Sequence, residues 1–387
     1  MKKGNLLVIL MVLLFLLCGC NGQADNIDNQ PTVNNIFVPT NVSTVPTVAE
    51  TTNPEDITDA FPGLPENLGG SHTSFPIEME KDETGRKCYE YNGGEMSVAF
   101  QAAGSGVFTA HGVGFLLFVD GMPQPYRVSE DGEYSYMHGF KMGDFTLDPD
   151  NPGDMRLDVS FMFNPITGEK GDYIECYIVM LYYPDYSPAA LGDKGARPYT
   201  LGSSTTCRSF VLKFMEDPPE TQPLPTLDRL YDTQIEIVDT TYKEIQGWTN
   251  DDMQKNIRTV CYVNGYDSQF HKNIYDVTKN DIITVQFEIY GSPLVQYRLV
   301  YFVNNEPVSV AAEDIIDIYV EAGKKTIVTA KLDISDFNGE CSLYCVLVAR
   351  NRRDFNAAYG LNFTTDTYSY FWLHDFSNPL DAENQTE

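Results

Sequence analysis

The chain has few of the residues that usually catalyse reactions or hold metals. Its 387 residues include only five histidines, which are scattered singly, and eight cysteines. No HExxH, GxSxG or GxxxxGK[ST] motif occurs, and no CxxC or His pair has metal-ligand spacing. Carboxylates are so abundant that spacing favours no pair for glycoside hydrolysis. The sequence therefore indicates no catalytic residue, no cofactor and no metal. The histidines are His72, His111, His138, His271 and His374.

Positive charge is also scarce. The chain carries 26 Lys and Arg against 55 Asp and Glu, a formal net charge of −29. This balance excludes general electrostatic affinity for nucleic acid or for anionic lipid. Neutral partners and calcium-mediated contacts stay open.

Long apolar runs are missing except near the start of the chain. Lys2 and Lys3 precede an uncharged apolar stretch from Leu6 to Leu17, which is the pattern of a secretory signal. A transmembrane helix is the alternative, but it needs about 20 apolar residues, and a polar, glycine-containing segment follows too soon here.

The signal ends in Leu17-Cys18-Gly19-Cys20. This tetrad resembles the lipobox of bacterial lipoproteins, although Cys18 stands where that family usually has Ala, Ser or Thr. The resemblance implies cleavage after residue 19 and diacylglyceryl modification and acylation of Cys20, which would anchor the protein to the outer face of the cell membrane. Two or more acyl chains hold a protein durably.

Residues 20–65 have the composition of a tether. They are rich in Asn, Thr, Val and Pro, as in "NQPTVNNIFVPTNVSTVPTV", and show neither a helical nor a strand period. We expect a lipid-anchored disordered segment. An edge strand around "NIFVP" is the alternative.

Two folded regions follow the tether. A proline-rich segment, residues 217–226, separates residues 66–216 from residues 227–387, and it reads as an interdomain linker. Three pairs of strings recur in the same order: "MSVAF" with "ITVQF", "FVDGMP" with "FVNNEP", and "CYIVML" with "YCVLVA". Their offsets are 187, 184 and 168 residues, which suggests a duplicated domain with a longer first copy.

Both regions are rich in short β-branched and aromatic segments bounded by Gly, Pro, Asn or Asp, which predict strands. Asp120-Gly121 and Asn304-Asn305 suit tight hairpin turns that need positive φ. Only "NDDMQKNIRTV" could make a short helix. The predicted fold is all-β: two tandem immunoglobulin-like β-sandwiches, without the Cys-Trp-Cys core of true immunoglobulins. Val98, Phe100, Val285 and Phe287 should point inward.

The remaining cysteines fall three in each domain, so their disulfide state is open between bridges and buried thiols. Cys341 and Cys345 share a predicted strand and are too far apart to bond with each other there. The six are Cys88, Cys176, Cys207, Cys261, Cys341 and Cys345.

One acidic loop, "DPDNPGD", places Asp148, Asp150 and Asp154 like the start of a calcium loop. Pro152 and Val159 occupy positions where such loops need ligands, so a solvated turn is expected and calcium stays open.

Three functional classes remain. The favoured one is a lipid-anchored extracytoplasmic binding or adhesion module for glycan, peptide or another envelope protein, because tether and tandem sandwiches come without catalytic motifs. Tyrosines in "EYSYMH" and "YYPDYSP" could stack on sugar or peptide. The alternatives are a lipid-anchored glycan-active enzyme and a structural subunit of an envelope complex.

Overall fold

A computed structural model of the chain describes residues 71–76, 80–81, 87–105, 112–182, 184, 206–220, 224–225, 227–239, 257–263, 266–267, 274–276, 282–291, 296–310, 316–319, 324–335, 340–350 and 366–374. All of them lie in one compact unit, Thr40–Glu387. The signal, Cys20 and the tether fall outside the described residues. Within the described ranges, no helix is long and apolar enough to cross a membrane.

The first half of the described chain forms two antiparallel-rich sheets. One has the order β1-β4-β9-β8, and the other has the order β2-β3-β11-β10-β5-β6, with β7 also paired to β5. A short 3-10 helix, Met142–Asp144, precedes β8. The strands are β1 Ser71–Ser74, β2 Glu80–Lys81, β3 Lys87–Tyr91, β4 Met96–Gly104, β5 Val113–Val119, β6 Met122–Pro123, β7 Met137–Phe140, β8 Thr146–Leu147, β9 Met155–Phe163, β10 Tyr173–Tyr182 and β11 Thr206–Phe214.

The second half forms one continuous sheet of eleven strands in the order β14-β13-β16-β20-β12-β18-β17-β21-β22-β15, with β19 paired to β17. Strand β12 joins its two layers, because it pairs with β20 on one side and β18 on the other. The strands are β12 Leu227–Asp239, β13 Ile257–Val263, β14 Tyr266–Asp267, β15 Ile274–Asp276, β16 Ile282–Gly291, β17 Gln296–Val303, β18 Glu306–Val310, β19 Ile316–Tyr319, β20 Lys324–Asp333, β21 Glu340–Arg350 and β22 Asp366–His374.

The predicted all-β, immunoglobulin-like fold is confirmed. The orders β1-β4-β9-β8 and β11-β10-β5-β6 correspond to the ABED and GFCC′ sheets of immunoglobulin-like sandwiches. The short helix suggested for "NDDMQKNIRTV" is wrong over its last residues, because Ile257–Val263 is a strand paired along β16. The β-branched side chains of this segment suit that pairing.

The same strand pairings recur in both halves. β4 pairs with β1 and β9, as β16 pairs with β13 and β20. β5 pairs with β6, β7 and β10, as β17 pairs with β18, β19 and β21. The parallel pair of β3 with β11 recurs as β15 with β22. The three matched strings therefore lie on equivalent strands.

Hydrogen-bond register corrects the third match by one residue. Val119 pairs with Cys176, and its equivalent Val303 pairs with Leu343, so the offset is 167 residues rather than 168. A slip of one residue exchanges the two faces of a strand. In the corrected register Tyr177 is equivalent to Tyr344, and both point away from their own sandwich core.

Each half has its own core, and the four expected inward side chains are in place. Val98, Phe100, Val285 and Phe287 are all buried. In strands with one covered face, buried residues alternate with half-buried ones along the strand, as in β20. The predicted hairpin turns are also confirmed, with φ of 51° and 75° at Asp120-Gly121 and of 49° and 68° at Asn304-Asn305, the type I′ geometry that matches strand twist.

Candidate functional site

Four central strands are buried on both faces, and this is what brings the two sandwiches together. Every residue of β5 is buried, and β17 is buried from Tyr297 onward. Their second faces, with those of β10 and β21, form a separate apolar cluster between the halves. It contains Leu116, Phe118, Tyr177, Val179 and Leu181 from the first half, and Val300, Phe302, Tyr344, Val346 and Val348 from the second.

Equivalent residues meet in this cluster. Phe118 and Phe302, which are related by the 184-residue offset, contact each other edge to face with ring centroids 6.2 Å apart. The Phe302 ring also stacks on Tyr344, with centroids 5.0 Å apart and planes 5° apart. Contact between a residue and its own equivalent is the mark of an axis of approximate twofold symmetry. The two halves thus use the same face to bind each other.

Four charged residues close one end of this contact, and we call them the seam network: Asp120, Arg298, Asp317 and Arg350. Arg298 donates from Nη1 to the Asp120 carbonyl at 2.6 Å and from Nε to Asp317 Oδ1 at 2.9 Å. Arg350 donates to both carboxylate oxygens of Asp120, at 3.1 and 3.0 Å, and to Asp317 at 3.2 Å. Two cations and two anions therefore pair in a closed ring.

The turn of the first half positions this network. Asp120 has φ of 51°, a left-handed conformation that Asp and Asn tolerate better than most residues. Next to it, a Cβ on Gly121 would lie 2.8 Å from Arg298 Cδ, so glycine permits the close approach. Burial lowers the pKa of Arg350, but hydrogen bonds and charge from Asp120 outweigh it and raise that pKa above its usual value. The guanidinium stays charged.

Beyond the first half, the same face of β17 emerges into solvent. We call this strip the seam ledge: Gln296, Arg298, Asp317, Tyr319 and Arg350. Gln296 pairs with Tyr319 on one side and with Arg350 on the other, while Arg298 pairs with Asp317. Directly paired residues point to the same face of a sheet, so these five side chains form one surface. Tyr319 is 62% exposed.

The sequence-predicted site residues do not assemble a metal centre. Asp148 is buried, and its Oδ1 accepts the Asp150 amide at 3.0 Å, while the Asp148 amide donates to the Asp154 carbonyl at 3.0 Å. The loop is thus closed by its own hydrogen bonds, as expected of a turn. Among the described residues, no group of three or more His, Cys, Asp or Glu could hold a metal ion. Cys20 lies outside the described residues.

The tyrosine-rich segments contribute little exposed aromatic surface where they are described. Tyr136 is buried and donates to the Leu224 carbonyl. Tyr134 is partly exposed, but its hydroxyl donates to Glu95. The segment around residue 185 is largely outside the described residues. Cys88, Cys176 and Cys345 are buried, and burial raises the pKa of Cys176 well above its usual value.

Sequence reasoning missed the seam, although two signals for it are present. "VGFLLFV" and "LVYFV" are continuous apolar runs, which indicate burial on both faces rather than one. Arg298 interrupts one such run, and Arg350 ends another. A charge in a doubly buried strand needs a partner, and that partner was not identifiable from sequence spacing.

Comparisons with known proteins identify no family for this chain, so the fold class rests on the strand pairings described above. No family model matches the chain, and no curated protein matches it. Solved structures align over most of its length. The N-terminal Ig1-2 module of the Drosophila receptor protein tyrosine phosphatase DLAR is 10% identical, covering 80% of this chain and 99% of that one, with a TM-score of 0.18.

Two streptococcal domains align in the same way. The C-terminal domain of the Streptococcus agalactiae AgI/II polypeptide BspA is 9% identical, over 79% of this chain and 99% of that one, with a TM-score of 0.17. The C-terminal domain of the Streptococcus pyogenes antigen I/II-family protein AspA is 9% identical, over 80% and 100%, with a TM-score of 0.19. Scores this low carry no argument about function. The class that the strand pairings define is a two-domain immunoglobulin-like β-sandwich protein.

Proposed function

We propose that this protein is a lipid-anchored, extracytoplasmic binding or adhesion module. Cys20, at the end of the lipobox-like tetrad, provides the membrane anchor, and residues 20–65 serve as the tether. The observation that carries the proposal is the joining of two sandwiches through a shared apolar face with an ionic seam at one end. Such a unit holds its exposed surfaces in fixed relative positions, which favours tight binding because little order must be gained.

The binding partner is a glycan, a peptide or another envelope protein. The net charge of −29 disfavours polyanionic partners. A binding screen tests the proposal: residues 66–387, without the tether, are immobilised and exposed to arrays of glycans, cell-wall fragments, peptides and envelope proteins. Saturable binding to one class supports the proposal. Failure to bind any of these classes would contradict it.

The anchor has a separate test. In cells supplied with a labelled fatty acid, the protein should take up label, and Cys20→Ala should abolish labelling and leave an unprocessed precursor, because the acylation chemistry begins with a thioether at that sulfur. Cys18→Ala is the matched control and should keep the label. Labelling that persists in Cys20→Ala would disprove the assignment.

A further inference from the structure

An exposed tyrosine, Tyr319, stands at the edge of the seam network. Tyr319 ends the short strand β19, whose Ile316 and Ile318 face the core of the second sandwich. Its side chain points to the opposite side, and the residue is 62% exposed. Tyrosine presents a large rigid ring at low entropic cost, which is why such rings recur at binding surfaces.

We propose that the seam ledge binds a neutral saccharide, with the Tyr319 ring as the surface on which a pyranose stacks. This inference rests on the proposed binding function and names its ligand class and its place. The C–H groups on one face of a pyranose pack against an aromatic ring, while its hydroxyls point outward in its mean plane and seek hydrogen bonds.

The dimensions of the ledge suit one sugar ring. Tyr319, Gln296 and Arg350 lie on three adjacent strands, so their Cα atoms span about 10 Å at the usual strand spacing. Asp317 and Tyr319 are two residues apart on one strand, about 7 Å along it. A pyranose with its hydroxyls covers a comparable area.

Hydrogen-bonding groups border the ring on the same surface. The Asp317 side chain is 41% exposed and that of Arg350 is 23% exposed, so each keeps polar atoms open to solvent while it holds the other. A carboxylate accepts from two hydroxyls, and a guanidinium donates in a fixed plane. Because the seam network already fixes both groups, a ligand need not pay to order them.

Charge favours a neutral ligand over an acidic one. The two arginines of the seam network are matched by Asp120 and Asp317, so the ledge has no free cationic charge to attract an anion. The whole chain is strongly acidic, which adds long-range repulsion against uronic acids or phosphorylated glycans. A sugar hydroxyl can donate a hydrogen bond to the Asp317 carboxylate and accept one from the Arg350 guanidinium.

Ligand-observed NMR on residues 66–387 tests this inference. The probes are the methyl glycosides of glucose, galactose, mannose and N-acetylglucosamine, together with cellobiose, maltose and chitobiose. We expect saturation transfer to the ring protons of at least one probe, strongest at one face of the sugar. Calorimetric titration of that probe then gives the affinity of each variant.

Three variants locate the contact. Tyr319→Ala should weaken binding about tenfold or more, because it removes the stacking surface. Tyr319→Phe keeps the ring and should stay within about twofold. Tyr134→Ala removes a partly exposed tyrosine of the first half, and it is the control that should leave saccharide affinity unchanged.

The outcomes separate this inference from the proposed function. Saccharide binding that Tyr319→Ala leaves intact would overturn the ledge assignment but keep a glycan-binding module. Binding of peptides or envelope proteins without any saccharide would overturn the ligand class while the proposed function stands. No binding in any class would overturn both.

Discussion

The two sandwiches share a scaffold and differ at their rims. Nine strands pair in the same way in each half, and the central aromatic contact joins equivalent positions. At the position of Arg298, however, the first half has Gly114, against which Met137 and Pro184 pack. The first half also carries the additional segment with the 3-10 helix and β8, whereas the second recruits β12 to join its layers.

This difference shows where specialisation can occur. Side chains in the cores and on the shared face pack between two layers, so equivalent positions of the two halves are both apolar. Rim positions contact only one half or the solvent and can change at low cost. The seam ledge is built from residues of the second half, and in the described part of the first half Gly114 stands at the position of Arg298. Four experiments test this comparison between the two halves.

The largest expected effect tests whether the two cores are equivalent. Phe100→Ala and Phe287→Ala should each lower the free energy of unfolding by about 3–5 kcal/mol, because both rings are fully buried and leave a cavity. Urea unfolding followed by circular dichroism gives the values. A cost below about 1 kcal/mol for one of them only would break the equivalence.

The shared face should matter nearly as much, in a different way. Phe302→Ala removes the ring that contacts both Phe118 and Tyr344, and we expect a loss of about 2–3 kcal/mol. Because the two halves should then unfold less cooperatively, calorimetry should show two resolved transitions instead of one. An unchanged single transition would show that the face does not couple the halves.

A smaller effect is expected for the seam network. Asp120→Asn keeps a residue that tolerates the left-handed turn but removes one negative charge from two arginines, one of them only 8% exposed. We expect a cost of about 1–2 kcal/mol. Asp317→Asn, at the exposed side of the network, should cost less than 1 kcal/mol. Equal costs would contradict the difference in burial.

The smallest effect is the pH dependence that Glu95 of the first half contributes to stability. Hydrogen bonds from Arg127 lower the pKa of Glu95 below its usual value, with a further contribution from Tyr134. A lowered folded-state pKa stabilises the fold above the unfolded-state pKa, and this stability is lost as pH falls through the folded value. Stability should therefore fall on acidification below about pH 4.5.

Substitution isolates this contribution. Glu95→Gln should flatten the acid part of the stability curve measured by urea unfolding, while Glu133→Gln, at an exposed position of the same half, should not. If both variants follow the parent curve, the Glu95 pair does not contribute.

Much of the fold was predictable because it depends on local patterns. Strand positions, the hairpins at Asp120 and Asn304 and the inward Phe100 and Phe287 followed from alternation and turn chemistry. Register within a continuous apolar run did not, since "CYIVML" offers no polar residue to distinguish its faces. The helix suggested near residue 257 failed because long-range pairing with β16 outweighed a weak local preference.

The candidate site was not predictable in the same way. Asp120 and Arg298 are 178 residues apart and belong to different halves, so their pairing depends on how two finished sandwiches dock. The exposure of Tyr319 could not be predicted either, because it depends on which part of its sheet the first half covers. The sequence did contain continuous apolar runs in β5 and β17. Such runs indicate that both faces of a strand are covered, but they do not identify what covers the second face.

The meeting of Phe118 with Phe302 has a consequence for how the pairing depends on concentration. A face that binds its own equivalent is what an isologous homodimer uses. With both copies on one chain, about ten linker residues would keep the effective concentration of each face for the other in the millimolar range, whatever the amount of protein present. At low protein concentration, a dimer of separate copies would dissociate, whereas the two halves of one chain stay together.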